Sequence, residues 1–103
     1  MLSQELKTYA AEHYEARRHY YAALSEDLER VFAECTPDER VLMQFFYGTM
    51  PLRDAGEYDS TVFLGYVRHA LWLRENVAWC RELPENIFVQ HVLYYRINSE
   101  DIT

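Results

Sequence analysis

The sequence predicts an all-α fold: a small orthogonal bundle of four or five helices in one domain that spans residues 1–103. Only 3 Gly and 3 Pro occur in the chain, so turns should be few and the elements long. Apolar residues recur in steps of three and four, which is the period of a helix. Strong helix-start signals also follow Cys35 and Leu83.

The first helix is predicted to begin at Leu2 and to run for about five or six turns. Ser25, with Glu26 and Asp27 behind it, is typical of a new N-cap with acidic residues in the first turn, so the helix either bends there or continues. The apolar stripe of the first helix comprises Leu2, Leu6, Tyr9, Ala10, Ala16, Tyr20, Ala23 and Leu24. The stripe after Ser25 comprises Leu28, Val31 and Phe32.

A capping box, Thr36-Pro37-Asp38-Glu39, predicts that a helix begins directly after Thr36. Gly48 is a candidate C-terminal stop for this helix. Residues 50–56 have the composition of a loop. The apolar positions of the helix are Val41, Leu42, Phe45 and Phe46.

Asp59 or Ser60 is predicted to cap the next helix, which should end near Asn76. Trp79 and Cys80 are expected in the link that follows. The apolar positions that fit the helical period are Val62, Phe63, Tyr66, Val67, Ala70, Leu71 and Leu73.

Pro84 and Glu85 predict the start of the last helix, and residues 93–98 then read as an extended tail. A chain that ends on an aromatic tail with no following element is expected to be cut from a longer protein. The predicted inner face of the last helix comprises Ile87, Phe88, His91 and Val92.

The charge balance excludes some partners. A net charge of -7 and dispersed basic residues do not favour nucleic acid, because affinity for its backbone depends on Lys and Arg. No apolar run is long enough to span a bilayer, and no signal-peptide core is present, so the sequence predicts no membrane partner and leaves the compartment open.

Neither a cofactor nor a metal site is predicted. Cys35 and Cys80 lie 45 positions apart without a CxxC partner, which favours two buried thiols over a disulfide or a nucleophile. His13 and His19 are six positions apart, whereas a helical zinc pair uses a spacing of four. The acidic residues Asp54, Glu57 and Asp59 lack the glycine of a calcium loop, so a solvated acidic loop is expected.

Four tyrosines near the N-terminus allow two interpretations. They could form a platform on which a sugar stacks, or they could be residues of the core or of an interface, and their helical spacing favours the second. These are Tyr9, Tyr14, Tyr20 and Tyr21.

The segment from Phe46 to Glu100 resembles the helical region that precedes the catalytic core in bacterial transglutaminase-like proteins, relatives of the papain-type cysteine hydrolases. The order of the features carries the resemblance. The matching positions are Met50-Pro51-Leu52 with Asp54; Val67, Ala70, Leu71 and Arg74; Trp79; Leu83-Pro84-Glu85 with Ile87 and Phe88; and Val92-Leu93, Tyr95-Arg96-Ile97-Asn98 and Glu100.

This resemblance implies that the chain is a non-catalytic accessory domain, which packs on a downstream core and frames its cleft. The core, a possible cysteine hydrolase or acyltransferase, would supply a Cys-His-Asp triad, none of which can be assigned here. We expect Tyr94, Tyr95, Arg96 and Ile97 to form the interface with that core, since an aromatic tail needs cover and a guanidinium gives two directed bonds. The alternatives are a free-standing module for protein interaction or homodimerisation, and a carbohydrate-binding module.

Overall fold

A computed structural model describes residues 2–50 and 59–92, and between residues 22 and 26 it describes the backbone alone. This part of the chain is all-α and contains no β-strand, which confirms the predicted class. The extended tail predicted for residues 93–98 lies outside the described residues. The α-helices of the described residues are α1 (Gln4–Arg17), α2 (Ser25–Glu34), α3 (Pro37–Thr49), α4 (Ser60–Asn76), α5 (Ala78–Arg81) and α6 (Glu85–Gln90).

The chain does not continue as one helix from its start into α2. Ser3 caps α1, because its hydroxyl oxygen accepts from the amide of Leu6 at 3.2 Å. A 3₁₀ segment, Arg18–Leu24, follows α1 and contains Tyr21 with φ -103° and ψ 21°, outside the helical range. The bend therefore falls at Tyr21, and α2 begins at Ser25.

The 3₁₀ segment also changes which tyrosine is buried. A 3₁₀ turn advances about 120° per residue and an α-helix about 100°, so the predicted stripe loses its phase here. Tyr20, expected on the inner stripe, is 62% exposed, whereas Tyr21 is 4% exposed. Tyr9 and Ala16, also expected on that stripe, are exposed as well.

The predicted capping box at the start of α3 is confirmed. The Thr36 hydroxyl accepts from the Glu39 amide at 3.2 Å, and the Glu39 carboxylate accepts from the Thr36 amide at 3.0 Å. The same carboxylate lies 3.3 Å from Nε of Arg68, so this buried acidic residue also joins α3 to α4.

Gly48 has a role different from the predicted stop. It lies inside α3, which ends at Thr49. A Cβ at this position would lie 2.6 Å from the backbone nitrogen of Tyr14 and 2.7 Å from the carbonyl carbon of His13. The absence of a side chain therefore lets α1 and α3 pack with their backbones in close approach.

The helix α4 has the predicted start and end. Asp59 caps it, because one carboxylate oxygen accepts from the amides of Thr61 at 2.8 Å and Val62 at 3.3 Å, and the last residue is Asn76. Trp79 and Cys80 do not lie in an irregular link, since both belong to the short helix α5.

Arg74 attaches the two short helices to α4. Its guanidinium donates to the carbonyl oxygen of Cys80 at 2.6 Å and to that of Leu83. It also lies 4.9 Å from the centroid of the Phe88 ring, within the range of a cation–π interaction. These contacts satisfy carbonyl groups at the end of α5 and hold α6 against the same cation.

One apolar core runs through the described helices. Aromatic pairs join its layers: the rings of Phe46 and Phe63 stack at 4.0 Å, and Tyr14 meets Phe32 edge-on at 5.1 Å. No helix of the described residues is both long and apolar enough to cross a membrane. The predicted core positions that are buried include Leu28, Val31, Phe32, Val41, Leu42, Phe46, Phe63, Val67, Ala70, Leu73, Phe88 and Val92.

Candidate protein-interaction surface

The helix α4 exposes two of the apolar side chains that fit its helical period. Val62 is 57% exposed and Tyr66 is 37% exposed, so these two positions lie outside the core although they fit the helical period. Phe63 and Val67, one position further along from each, are buried at 3% and 0% and supply the packing instead. The helix thus has an apolar side in the core and a second apolar side in solvent.

We define the aromatic face as Val62, Tyr66 and Trp72 of α4 together with Trp79 of α5. Trp72 is 56% exposed and Trp79 is 41% exposed. At about 100° per residue, Tyr66 and Trp72 lie about 120° apart around the helix, with Val62 between them. At about 1.5 Å per residue, the three α4 side chains extend over about 15 Å of helix.

Gly65 lies within the arc of the aromatic face. It is exposed, and a Cβ added to it would meet no atom within 4 Å. Neither the backbone path at this position nor the packing of the described residues therefore requires glycine. Because glycine in a helix interior costs about 1 kcal/mol relative to alanine, the residue lowers helix stability without a local reason.

Hydrogen bonds hold the end of the aromatic face in place. The Asn76 side chain donates to the carbonyl oxygen of Trp72 at 2.8 Å. Val77, which joins α4 to α5, donates its amide to the carbonyl oxygen of Leu73 at 2.9 Å. Together with the Arg74 contacts, these bonds hold α5 against the end of α4.

Neither cysteine has the environment of a nucleophile. The Cys35 thiol donates to the carbonyl oxygen of Val31 at 3.2 Å, and burial raises its pKa. Burial also raises the pKa of Cys80, and Arg74 only partly opposes this effect. Because the reactive form is the thiolate, a raised pKa disfavours nucleophilic chemistry at both positions.

The histidines near the N-terminus are engaged with aromatic neighbours. Nδ1 of His13 donates to the carbonyl oxygen of Tyr9 at 2.8 Å, and the two rings stack at 3.8 Å. The His19 ring lies 4.1 Å from that of Tyr20. No group of three or more His, Cys, Asp or Glu side chains suited to a metal occurs within residues 2–50 and 59–92.

The four N-terminal tyrosines do not form one sugar-stacking platform. Tyr14 and Tyr21 are core residues, and the Tyr21 hydroxyl donates to the backbone oxygen of Tyr47 at 2.6 Å. Tyr9 and Tyr20 are exposed. The acidic loop is only partly described: Asp59 acts as a helix cap, and residues 54 and 57 lie outside the described residues.

The interface predicted at Tyr94, Tyr95, Arg96 and Ile97 also lies outside the described residues and stays a prediction. Sequence reasoning missed the aromatic face, although a signal for it exists. Apolar residues occur on every side of α4, and a helix that is apolar all round must be covered on more than one side.

No protein-family model, curated protein or solved structure matches this chain. The resemblance to transglutaminase-like proteins therefore stays a prediction that depends on the residues quoted for it.

Proposed function

We propose that this chain is a non-catalytic helical domain that docks on another folded domain through the aromatic face. The observation that carries the proposal is the exposure of Val62, Tyr66, Trp72 and Trp79 on adjoining helices. Trp and Tyr are enriched at the centres of protein interfaces, where a few such side chains supply most of the binding energy.

The energetic gain from covering this face is considerable. An indole side chain buries about 200 Å² when it is enclosed, and each square ångström removed from water contributes about 25 cal/mol. Covering the exposed half of Trp72 would therefore contribute about 2.5 kcal/mol before the cost of association. A protein partner is large enough to cover several such side chains.

The surroundings of Gly65 are a separate observation that supports the same proposal. Its position leaves a gap in the aromatic face where a partner backbone or a large side chain can approach α4 closely. A stability cost of about 1 kcal/mol is then offset when the partner packs against the glycine.

The environments of the two thiols are consistent with a binding role. The thiols of Cys35 and Cys80 both have raised pKa values, and each is partly or fully buried. In the form that the resemblance predicts, the partner is a transglutaminase-like core joined after residue 103, and the segment from Tyr94 to Ile97 adds a second contact. The chain then acts as the scaffold of that core.

The chain offers a direct spectroscopic test, because its 2 tryptophans are the two on the aromatic face. In the isolated chain we expect the red-shifted, readily quenched emission of exposed indoles. The chain should be compared with a longer one that includes whatever the gene encodes next. A shift of the emission to shorter wavelength, with protection from acrylamide, supports docking through this face.

Two variants sharpen the test. Trp72→Ala should abolish most of the spectral shift and weaken the association, whereas Tyr20→Ala removes an equally exposed aromatic side chain from a different surface and should change neither. A longer chain that contains a folded core but leaves both tryptophans fully quenchable contradicts the proposal. A stop codon directly after residue 103 contradicts the accessory-domain form of it.

A homodimer is a second candidate, favoured by the spacing on α4. If two copies of α4 pair in antiparallel orientation about the level of Val67, Val62 of one copy faces Trp72 of the other and Gly65 faces His69. Small and large residues then meet across the pair. Sedimentation equilibrium over a range of concentrations decides this: dimerisation that Trp72→Ala abolishes supports it, and a monomer at every concentration excludes it.

A further inference from the structure

A second surface feature, separate from the aromatic face, lies where α1 and α6 meet beside α3. It is an open groove of about 330 Å³. This volume is at the lower end of the range for pockets that hold small ligands or the side chains of a peptide. The described residues that line the groove are Ser3, Glu5, Leu6, Tyr9, Phe45, Glu85, Asn86, Val89 and Gln90.

The floor of the groove is apolar and ordered by contacts within the chain. The rings of Tyr9 and Phe45 lie 5.6 Å apart with a tilt of 30°. His13 stacks on Tyr9 at 3.8 Å, so the ring is held between two neighbours although it is 45% exposed. Leu6 and Val89 complete an apolar base wide enough for one aromatic or long aliphatic side chain.

A pair of hydrogen bonds fixes the walls of the groove. One carboxylate oxygen of Glu85, at the start of α6, accepts from the backbone amide of Ser3 at 2.8 Å. The other oxygen accepts from the Ser3 hydroxyl. Because Ser3 is the N-cap of α1, these bonds tie the beginnings of α1 and α6 together at the wall of the groove.

The rim of the groove is acidic. Glu5 is exposed, Glu85 is half-buried, and none of the described lining residues is basic. The whole chain carries a net charge of -7, which adds to the negative potential. Asn86 and Gln90 lie one helical turn apart on the same wall, and their side-chain amides can both donate to and accept from a peptide backbone.

We propose that this groove binds a peptide segment that presents an aromatic or long aliphatic side chain next to a Lys or Arg. The apolar side chain packs on Tyr9, Phe45 and Leu6, and the cation lies against the carboxylates of Glu5 and Glu85. Charge complementarity selects this occupant over an acidic peptide, which the rim repels. The partner is then recognised by sequence, whereas the aromatic face needs only a complementary shape.

The proposal is tested with the full 103-residue chain and a synthetic hexapeptide, acetyl-Gly-Arg-Phe-Leu-Lys-Gly-amide. Binding is followed by the amide resonances of the ¹⁵N-labelled chain. We expect shifts at Leu6, Tyr9, Asn86 and Gln90, and an affinity that falls as salt is added, because exposed charges are screened. A peptide with Glu in place of both basic residues should bind at least about tenfold more weakly.

A charge-reversal variant distinguishes binding in the groove from a general electrostatic attraction between peptide and protein. Glu5→Lys should weaken binding of the basic peptide about tenfold and improve binding of the acidic one. Glu12→Lys changes the charge by the same amount on an exposed position of α1 that does not line the groove, and it should leave both affinities within about twofold. Because the peptide can be altered while the protein is kept intact, misfolding of a variant does not decide the test.

The proposal is overturned by equal affinity for the two peptides, by resonance shifts confined to residues outside the groove, or by no shift at millimolar peptide. A chitooligosaccharide that shifts the groove resonances when the peptide does not would also overturn it, in favour of a carbohydrate site. Trp72→Ala lies outside the groove and should not alter peptide binding, so the groove and the aromatic face can fail independently.

Discussion

Gly48 and Gly65 are both helical residues, and their surroundings are opposite. A Cβ at Gly48 would lie 2.6 Å from a backbone atom of α1, whereas one at Gly65 would meet nothing within 4 Å. The first glycine is required by a contact inside the domain. No contact in the described structure requires the second.

The difference extends to the two sides of the molecule. Near Gly48, Tyr14, Tyr21 and Tyr47 are all buried. The Tyr21 ring meets that of Tyr47 edge-on at 5.3 Å, and the Tyr21 hydroxyl donates to a backbone oxygen of α3. Around Gly65, large apolar side chains remain in solvent. The residues packed around Gly48 stabilise the fold. We expect a partner to cover the exposed apolar side chains around Gly65.

Gly48→Ala should have the largest effect on stability. The added methyl group collides with the α1 backbone, so α1 and α3 must move apart and the aromatic packing around Tyr14 must loosen. Overpacking at this level is expected to lower the free energy of unfolding by about 3 kcal/mol. Urea unfolding followed by circular dichroism measures this change. A loss of less than about 1 kcal/mol would show that the two backbones are not in close approach at this point.

High pH should destabilise the fold, and ionisation of Tyr47 should contribute most to this loss of stability. Burial raises the pKa of Tyr47 well above its ordinary value of 10.0, and it also raises those of Tyr14 and Tyr21. Since the folded pKa exceeds the unfolded one, this stability is complete below about pH 10 and is lost as the pH rises above it. Each pH unit costs about 1.4 kcal/mol for each group that stays protonated only in the folded state.

The measurement is the free energy of unfolding between pH 9 and pH 12, with ionisation followed by tyrosinate absorbance. Tyr47→Phe should reduce the slope above pH 10 by about 1.4 kcal/mol per pH unit, because one buried hydroxyl no longer ionises on unfolding. Tyr20→Phe is the matched control on an exposed side chain. Equal slopes in the two variants would contradict the burial of Tyr47.

Local signals in the sequence were sufficient to predict most of the helices. The Thr36 capping box and the Asp59 cap each depend on residues within one turn, and both were found where the pattern placed them. The predicted stripe of the first helix is wrong at Tyr9 and Ala16, which are exposed within α1. Beyond Arg17 it is wrong because the 3₁₀ segment changes the angular advance per residue and so buries Tyr21 in place of Tyr20. Helical periodicity cannot anticipate such a change, which is set by packing between distant segments.

Neither binding surface was identified from the sequence. The groove depends on Ser3 and Glu85, which are 82 positions apart and meet only in the folded chain. The aromatic face was hidden by an excess of apolar residues on α4, since the pattern did not show which side of the helix the core would cover. The sequence also does not show that Gly65 is free of contacts, because this depends on how the described residues pack around it.

Gly65→Ala should have the smallest effect on stability and the opposite sign. With nothing to collide with, the methyl group should raise the free energy of unfolding by about 1 kcal/mol through helix propensity alone. If a partner or a second copy packs against the aromatic face at this point, the same substitution should weaken that association, as measured by the loss of the tryptophan spectral shift or of the dimer. A variant that is more stable and docks as well as before would leave the glycine without a role in the interface and place the close contact nearer Trp72. A variant that is more stable and docks poorly would show that α4 gives up folding stability in order to admit its partner.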